Sequence, residues 1–84
     1  MNKLALELLA DKAEQHISQS IARIAGSIAP SIDRAAGEID MAYKLHLIDY
    51  PRREVLMTQL RVIVNKRRQQ LREQQNAKLL RESA

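Results

Sequence analysis

The sequence predicts an all-α fold, and three observations carry that reading. Leu6, Ala10, Ala13, Ile17, Ile21, Ile24 and Ile28 recur at helical spacing, no stretch alternates as a half-buried strand does, and the second half is rich in the helix formers Lys, Arg, Gln and Glu. At 3.6 residues per turn the seven stripe positions fall within about 80° of one another. The expected architecture is an antiparallel helical hairpin of two to three long helices, kinked or broken near Pro30, with a tight turn at Leu47–Pro51, and oligomeric.

The first helix is expected to begin near Asn2, a good cap residue, with Glu7 and Asp11 early, where acidic groups suit the helix dipole. Its stripe repeats every eleven residues (Leu6, Ile17, Ile28; Ala10, Ile21; Ala13, Ile24), a period that keeps the apolar face nearly straight. Leu4 and Leu8 lie on the opposite side, as a second contact or as ordinary exposed leucines. Gly26 and Pro30 then punctuate the pattern, because a proline removes one helical hydrogen bond and crowds the carbonyl four residues back. Beyond them Ile32, Ala35, Ile39, Ala42 and His46 keep the phase of the first stripe. Two outcomes fit this: one bent helix, or a fresh helix capped by Ser31.

Leu47-Ile48-Asp49-Tyr50-Pro51 reads as a turn followed by a helix start, with Asp49 as cap and Pro51 in the first turn, where proline is tolerated. In the last helix Leu56, Leu60, Ile63, Val64 and Leu71 form the inner face, while Arg67, Gln74 and Lys78 occupy later stripe positions. The helix therefore outlives its apolar face and either projects into solvent or is completed by a partner. The expectation is one helical domain over 1–75, followed by a basic tail, 76–84, prone to fraying.

A chain of 84 residues with no Cys, Phe or Trp, and only Tyr43 and Tyr50 as rings, has a marginal core. Small helical chains in that position gain burial by association, so a homo-oligomer, dimer or tetramer, is expected, self-associating through Leu6, Ala10, Ala13, Ile17, Ile21, Ile24 and Ile28. Glu7 and Asp11 interrupt any signal-like apolar region and no run approaches the ~20 apolar residues of a membrane span, which leads to the expectation of a cytoplasmic protein without a membrane partner.

Charge divides the chain. Residues 1–40 carry four basic and six acidic groups, a balance of −2, and residues 41–84 carry ten basic and four acidic, a balance of +6. Such opposition fits a nucleic-acid surface, an acidic protein partner or head-to-tail pairing of copies.

Catalytic and cofactor chemistry find no foothold in the residues. His16 and His46 stand thirty positions apart without cysteine, and neither Glu14 nor Glu38 completes a metal-ligand spacing. Ser18, Ser20, Ser27 and Ser31 have no glycine-rich elbow to make one of them a nucleophile, and Gly26 and Gly37 are too isolated for a phosphate loop. His46 is expected on the inner stripe near the turn. No enzyme activity, metal or cofactor is expected.

Binding is the remaining function class. Arg61, Asn65, Arg68 and Arg72 share one face of the last helix, and Tyr50, Arg52 and Arg53 cluster at its start; Tyr and Arg dominate many interfaces. Tyr50, Arg52, Arg53, Arg61, Arg68 and Arg72 are accordingly the candidate partner-binding residues. The same arginines suit nucleic-acid phosphates, with Asn65 or Gln69 reading a base edge, although Glu54, Glu73 and Glu82 interrupt the field and stacking aromatics are scarce.

The run Ala42-Tyr43-Lys44-Leu45-His46-Leu47-Ile48-Asp49 leading into a basic helix, within Ala42 to Gln70, resembles small antirepressors of lambdoid prophages of enteric bacteria. The resemblance implies a short, helical, oligomeric, non-enzymatic protein that binds a DNA-binding transcriptional repressor, removes it from its operator and releases lytic genes. No family binding residue carries over to a numbered position. The alternative is a small basic protein that binds nucleic acid through its C-terminal helix.

Replacing both Ile21 and Ile24 by Asp is expected to break self-association or folding, because each substitution puts an unpaired charge on a buried face. Sedimentation and circular dichroism distinguish the two losses, and an unchanged oligomer would refute the proposed interface.

Overall fold

The computed structural model describes residues 3–83, all in three helices and their connections: α1 (Lys3–Ile24), α2 (Asp33–Lys44) and α3 (Tyr50–Ser83). The expected Asn2 cap lies outside the described residues. α2 runs antiparallel to its neighbours: Glu14 of α1 meets Arg52 near the start of α3, and the Ser27 carbonyl just past α1 meets Arg67 further along it, so α1 and α3 run parallel.

The break near Pro30 is complete. α1 ends at Ile24, where Ala25, Gly26 and Ser27 donate their N–H groups to the carbonyls of Ala22, Arg23 and Ile24 at 3.1–3.2 Å, a tightened final turn that satisfies the helix end. Ile28, expected to close the stripe, lies in this connection and is 89% exposed. Within the connection the Ser27 hydroxyl accepts from the Ala29 N–H (3.1 Å) and the Ser31 hydroxyl from the Asp33 N–H (3.2 Å). The N-cap position of α2 is Ile32, which makes no side-chain cap, so Ser31 stands one residue before the position expected of it. Of the two outcomes open at Pro30, the fresh helix is the one formed.

The second connection is held from both sides. Leu47 and His46 donate their N–H groups to the carbonyls of Ala42 (2.9 Å) and Tyr43 (3.0 Å), the paired bonds of a Schellman motif. His46 is its left-handed residue, with φ 59°, and its side chain is exposed, off the inner stripe where the spacing placed it. The motif explains the difference, since the helix stops at Lys44 before its period reaches His46. Asp49 then caps α3, its Oδ1 accepting from the Arg52 N–H at 2.9 Å and its carbonyl from the Arg53 N–H at 3.0 Å.

The core is aliphatic and small. Ile17, Ile21 and Ile24 of α1, Ala35, Ile39 and Ala42 of α2, Ile48 of the turn, and Leu56, Leu60 and Val64 of α3 form one cluster, with Ile39 fully buried. α2 presents small residues on either side of Ile39, which lets the longer helices close over it. α3 extends about 51 Å at 1.5 Å per residue, and the molecule's longest dimension is 66 Å. The difference is the N-terminal arm of α1, which passes beyond the Tyr50 end, while residues 72–83 of α3 pass beyond the opposite end. The segment 76–83 is helical throughout.

A left-handed backbone is unfavourable for a residue with a Cβ and free for glycine. His46→Gly should therefore raise stability by about 0.5–1 kcal/mol, offset in part by added freedom in the unfolded chain. A higher thermal midpoint measures this; a lower one would show that the imidazole holds the turn.

Candidate functional site

The candidate partner-binding residues separate into two groups. Arg52 and Arg53 are held between helices: the Arg52 Nε donates to Glu14 of α1, and the Arg53 Nε and Nη2 both reach Asp40 Oδ1 of α2 at 3.0 and 2.9 Å. Arg53 also bonds Glu54 at 2.8 Å through Nη1, and its guanidinium lies 5.8 Å from the Tyr43 ring centre. The Asp40 hydrogen bond is the main cause that raises the Arg53 pKa above the ordinary arginine value. Tyr43 meets Tyr50 edge to face, centroids 6.2 Å apart. Arg52 and Arg53 thus join α3 to α1 and α2 within the chain.

Arg68 is intermediate: its Nη2 reaches the Pro30 carbonyl at 3.4 Å, beside Arg67, whose Nε donates to the Ser27 carbonyl at 2.8 Å. Arg61 and Arg72 are exposed and their side chains, with that of Lys66, have no hydrogen-bond or ion-pair partner among the described residues. Tyr50 is 58% exposed.

The seven-residue stripe also divides. Ile17, Ile21 and Ile24 lie in the core of the single chain, so they are covered by α2 and α3 rather than held open for a second copy. Leu6 is exposed, and Ala10 and Ala13 are half-buried on the arm. Aspartates at positions 21 and 24 would accordingly act on folding directly.

The geometry gathers a further surface that the apolar stripe of α1 does not mark. On the side of α1 and α2 away from α3, Ala13 and Ile17 face Gly37, Met41, Leu45 and Leu47 across an almost entirely apolar groove of about 450 Å³. Met41 and Leu45 are 56% and 59% exposed. Gly37 lines it at an open position, where no atom would lie within 4 Å of an added Cβ. Gly37, Met41 and Leu45 recur at i, i+4 and i+8, which is the signal that could have marked this face.

One edge of the groove is polar. His16 Nε2 lies 3.3 Å from Glu38 Oε1, with Arg34 Nε at 3.6 Å from the same oxygen, and Glu38 Oε2 is buried without a hydrogen-bond partner. Among the described residues no three of His, Asp and Glu gather as metal ligands, and no helix is long and apolar enough to cross a membrane. Comparison with protein-family models, curated proteins and solved structures finds no match.

Truncation separates the two groups of arginines. Arg52→Ala and Arg53→Ala should each lower the thermal midpoint, and Arg53→Ala combined with Asp40→Ala should cost less than the sum of the single changes. Arg61→Ala and Arg72→Ala should stay within about 0.5 kcal/mol of the parent. Equal effects in both groups would dissolve the distinction.

Proposed function

We propose that this protein is a non-enzymatic helical antirepressor: it binds a DNA-binding transcriptional repressor, removes it from its operator and so promotes lytic induction. The observation that carries a protein partner is the apolar groove between α1 and α2, lined by Gly37 and with Met41 and Leu45 exposed on its wall. A groove of this kind takes the apolar face of one more helix. That the helix belongs to a repressor rests on the resemblance of Ala42 to Gln70 to small prophage antirepressors. Binding a DNA-free form of the repressor shifts it off the operator by linkage, without a contact to DNA.

In this reading the protein acts in the cytoplasm as a dimer or tetramer. Leu6, Ala10 and Ala13 continue the face that Ile17 and Ile21 bury in the core, and a second copy covers that continuation. Tyr50, Arg61 and Arg72 remain accessible as secondary contacts.

A second reading, direct nucleic-acid binding by α3, is favoured by the unpaired Arg61, Lys66 and Arg72 side chains. One gel-shift series tests both. With repressor and operator present, added protein should abolish the shifted band, and Met41→Glu, an exposed change that leaves the fold intact, should restore it. A shifted band that persists at excess protein would overturn the antirepressor reading. With operator alone, a complex whose affinity falls steeply with salt would instead establish α3 as a phosphate-binding surface.

A further inference from the structure

A second concavity, on the other end of the α1–α2 pair, has a different chemistry. It encloses about 350 Å³ between the last turn of α1 and the first of α2, and its polar lining is Ser20, Arg23, Ser27, Ser31 and Arg34. No carboxylate lines it. Every polar side chain there can donate, and the volume falls in the lower part of the ~300–1,000 Å³ typical of small-ligand sites.

The hydroxyls are oriented by the backbone. Ser27 and Ser31 accept from the N–H groups of Ala29 and Asp33, which leaves their O–H protons free for an outside acceptor. Ser20 is largely buried, at 9% exposure, and its hydroxyl has no hydrogen-bond partner among the described residues. That hydroxyl lines this cleft and opens into it, so its donor is available to a ligand there. Arg23 makes no ion pair, and Arg34 touches Glu38 only at 3.6 Å, a distance that leaves most of its donors unused. The rim is fixed from α3, because Arg67 and Arg68 hold the Ser27 and Pro30 carbonyls and add two positive charges behind the connection. Asp33 and Glu38 are the nearest carboxylates in sequence, and neither faces the cavity.

We propose that this cleft is a binding site for a phosphate group, with Arg23 and Arg34 neutralising its charge and Ser20, Ser27 and Ser31 donating to its oxygens. A tetrahedral dianion supplies acceptors in several directions, which matches five donor side chains around one space; a carboxylate supplies two oxygens in one plane. Ile24 and Ala35 give the cleft an apolar floor suited to the carbon skeleton that carries the phosphate. The assignment is independent of the repressor reading, since the apolar groove and this cleft share only Arg34 among the residues named for them.

The test is a nuclear magnetic resonance titration of the whole protein, observing backbone amides and arginine Nε groups, with inorganic phosphate, adenosine monophosphate and a short DNA duplex. Saturable shifts should concentrate on residues 20–35. Arg23→Gln should weaken phosphate binding about tenfold, the loss of one charge-assisted hydrogen bond, and Ser20→Ala should weaken it severalfold, both with unchanged helicity. Saturation by the small anions assigns a free phosphorylated molecule as the source, and cleft shifts with the duplex alone assign a nucleic-acid backbone; both uphold the site. Shifts confined to Arg61, Lys66 and Arg72, no saturable shifts with any of the three probes, or undiminished binding by Arg23→Gln, would overturn it.

Discussion

Burial of Ile39 is the constraint on which the rest of the structure depends. A core without Phe or Trp has to close around aliphatic side chains, and Ile39 is the one that both long helices cover completely. Its helix is only 12 residues long, and Ala35 and Ala42 flank it on the buried side. Small neighbours permit close approach of α1 and α3, which is how so small a volume of apolar side chain reaches interior packing. Gly37 and Met41 lie exposed on the outer side of α2, where they line the apolar groove beside α1. Core and groove are two faces of one short helix.

The opposed charges of the two halves are used in large part within the chain. Glu14 and Asp40, from the acidic half, meet Arg52 and Arg53 at the start of α3, while the carbonyls of Ser27 and Pro30 meet Arg67 and Arg68. Charge complementarity and hydrogen bonding thus clamp α3 to its neighbours at both ends of the apolar core. On α3 the positive charge left outward lies at Arg61, Lys66, Arg72 and the projecting end, and Lys12, Arg23 and Lys44 on the other helices are exposed without an ion pair among the described residues. Net charge alone overstates the basic surface on offer.

The candidate sites differ in how each arises. The groove follows from side-chain size on two helices, and its mouth is open because no third helix covers that side. The serine and arginine cleft follows from the break after α1, which sets Ser27 and Ser31 of the connection beside Arg23 of α1 and Arg34 of α2 around one concavity. A continuous helix through Pro30 would have scattered those residues around its circumference.

The sequence by itself determined the helices: the eleven-residue stripe, the Gly26 to Pro30 interruption and the Asp49-Tyr50-Pro51 start each depend on local backbone preferences that act within a few residues. It also marked the inner face, since Ile17, Ile21, Ile24, Ile39, Leu56, Leu60 and Val64 follow helical periods and are buried. Only the tertiary structure decided what that face meets. Periodicity shows that a stripe is covered and is silent on whether α2, α3 or a second copy covers it, so the spacing of Ile21 fits an intermolecular contact as well as the intramolecular one it makes. The arginines illustrate the same physics. Arg53 and Arg61 look alike along the helix, yet one lies opposite Asp40 and the other faces water, because the partner of a long-range ion pair is set by how the helices pack.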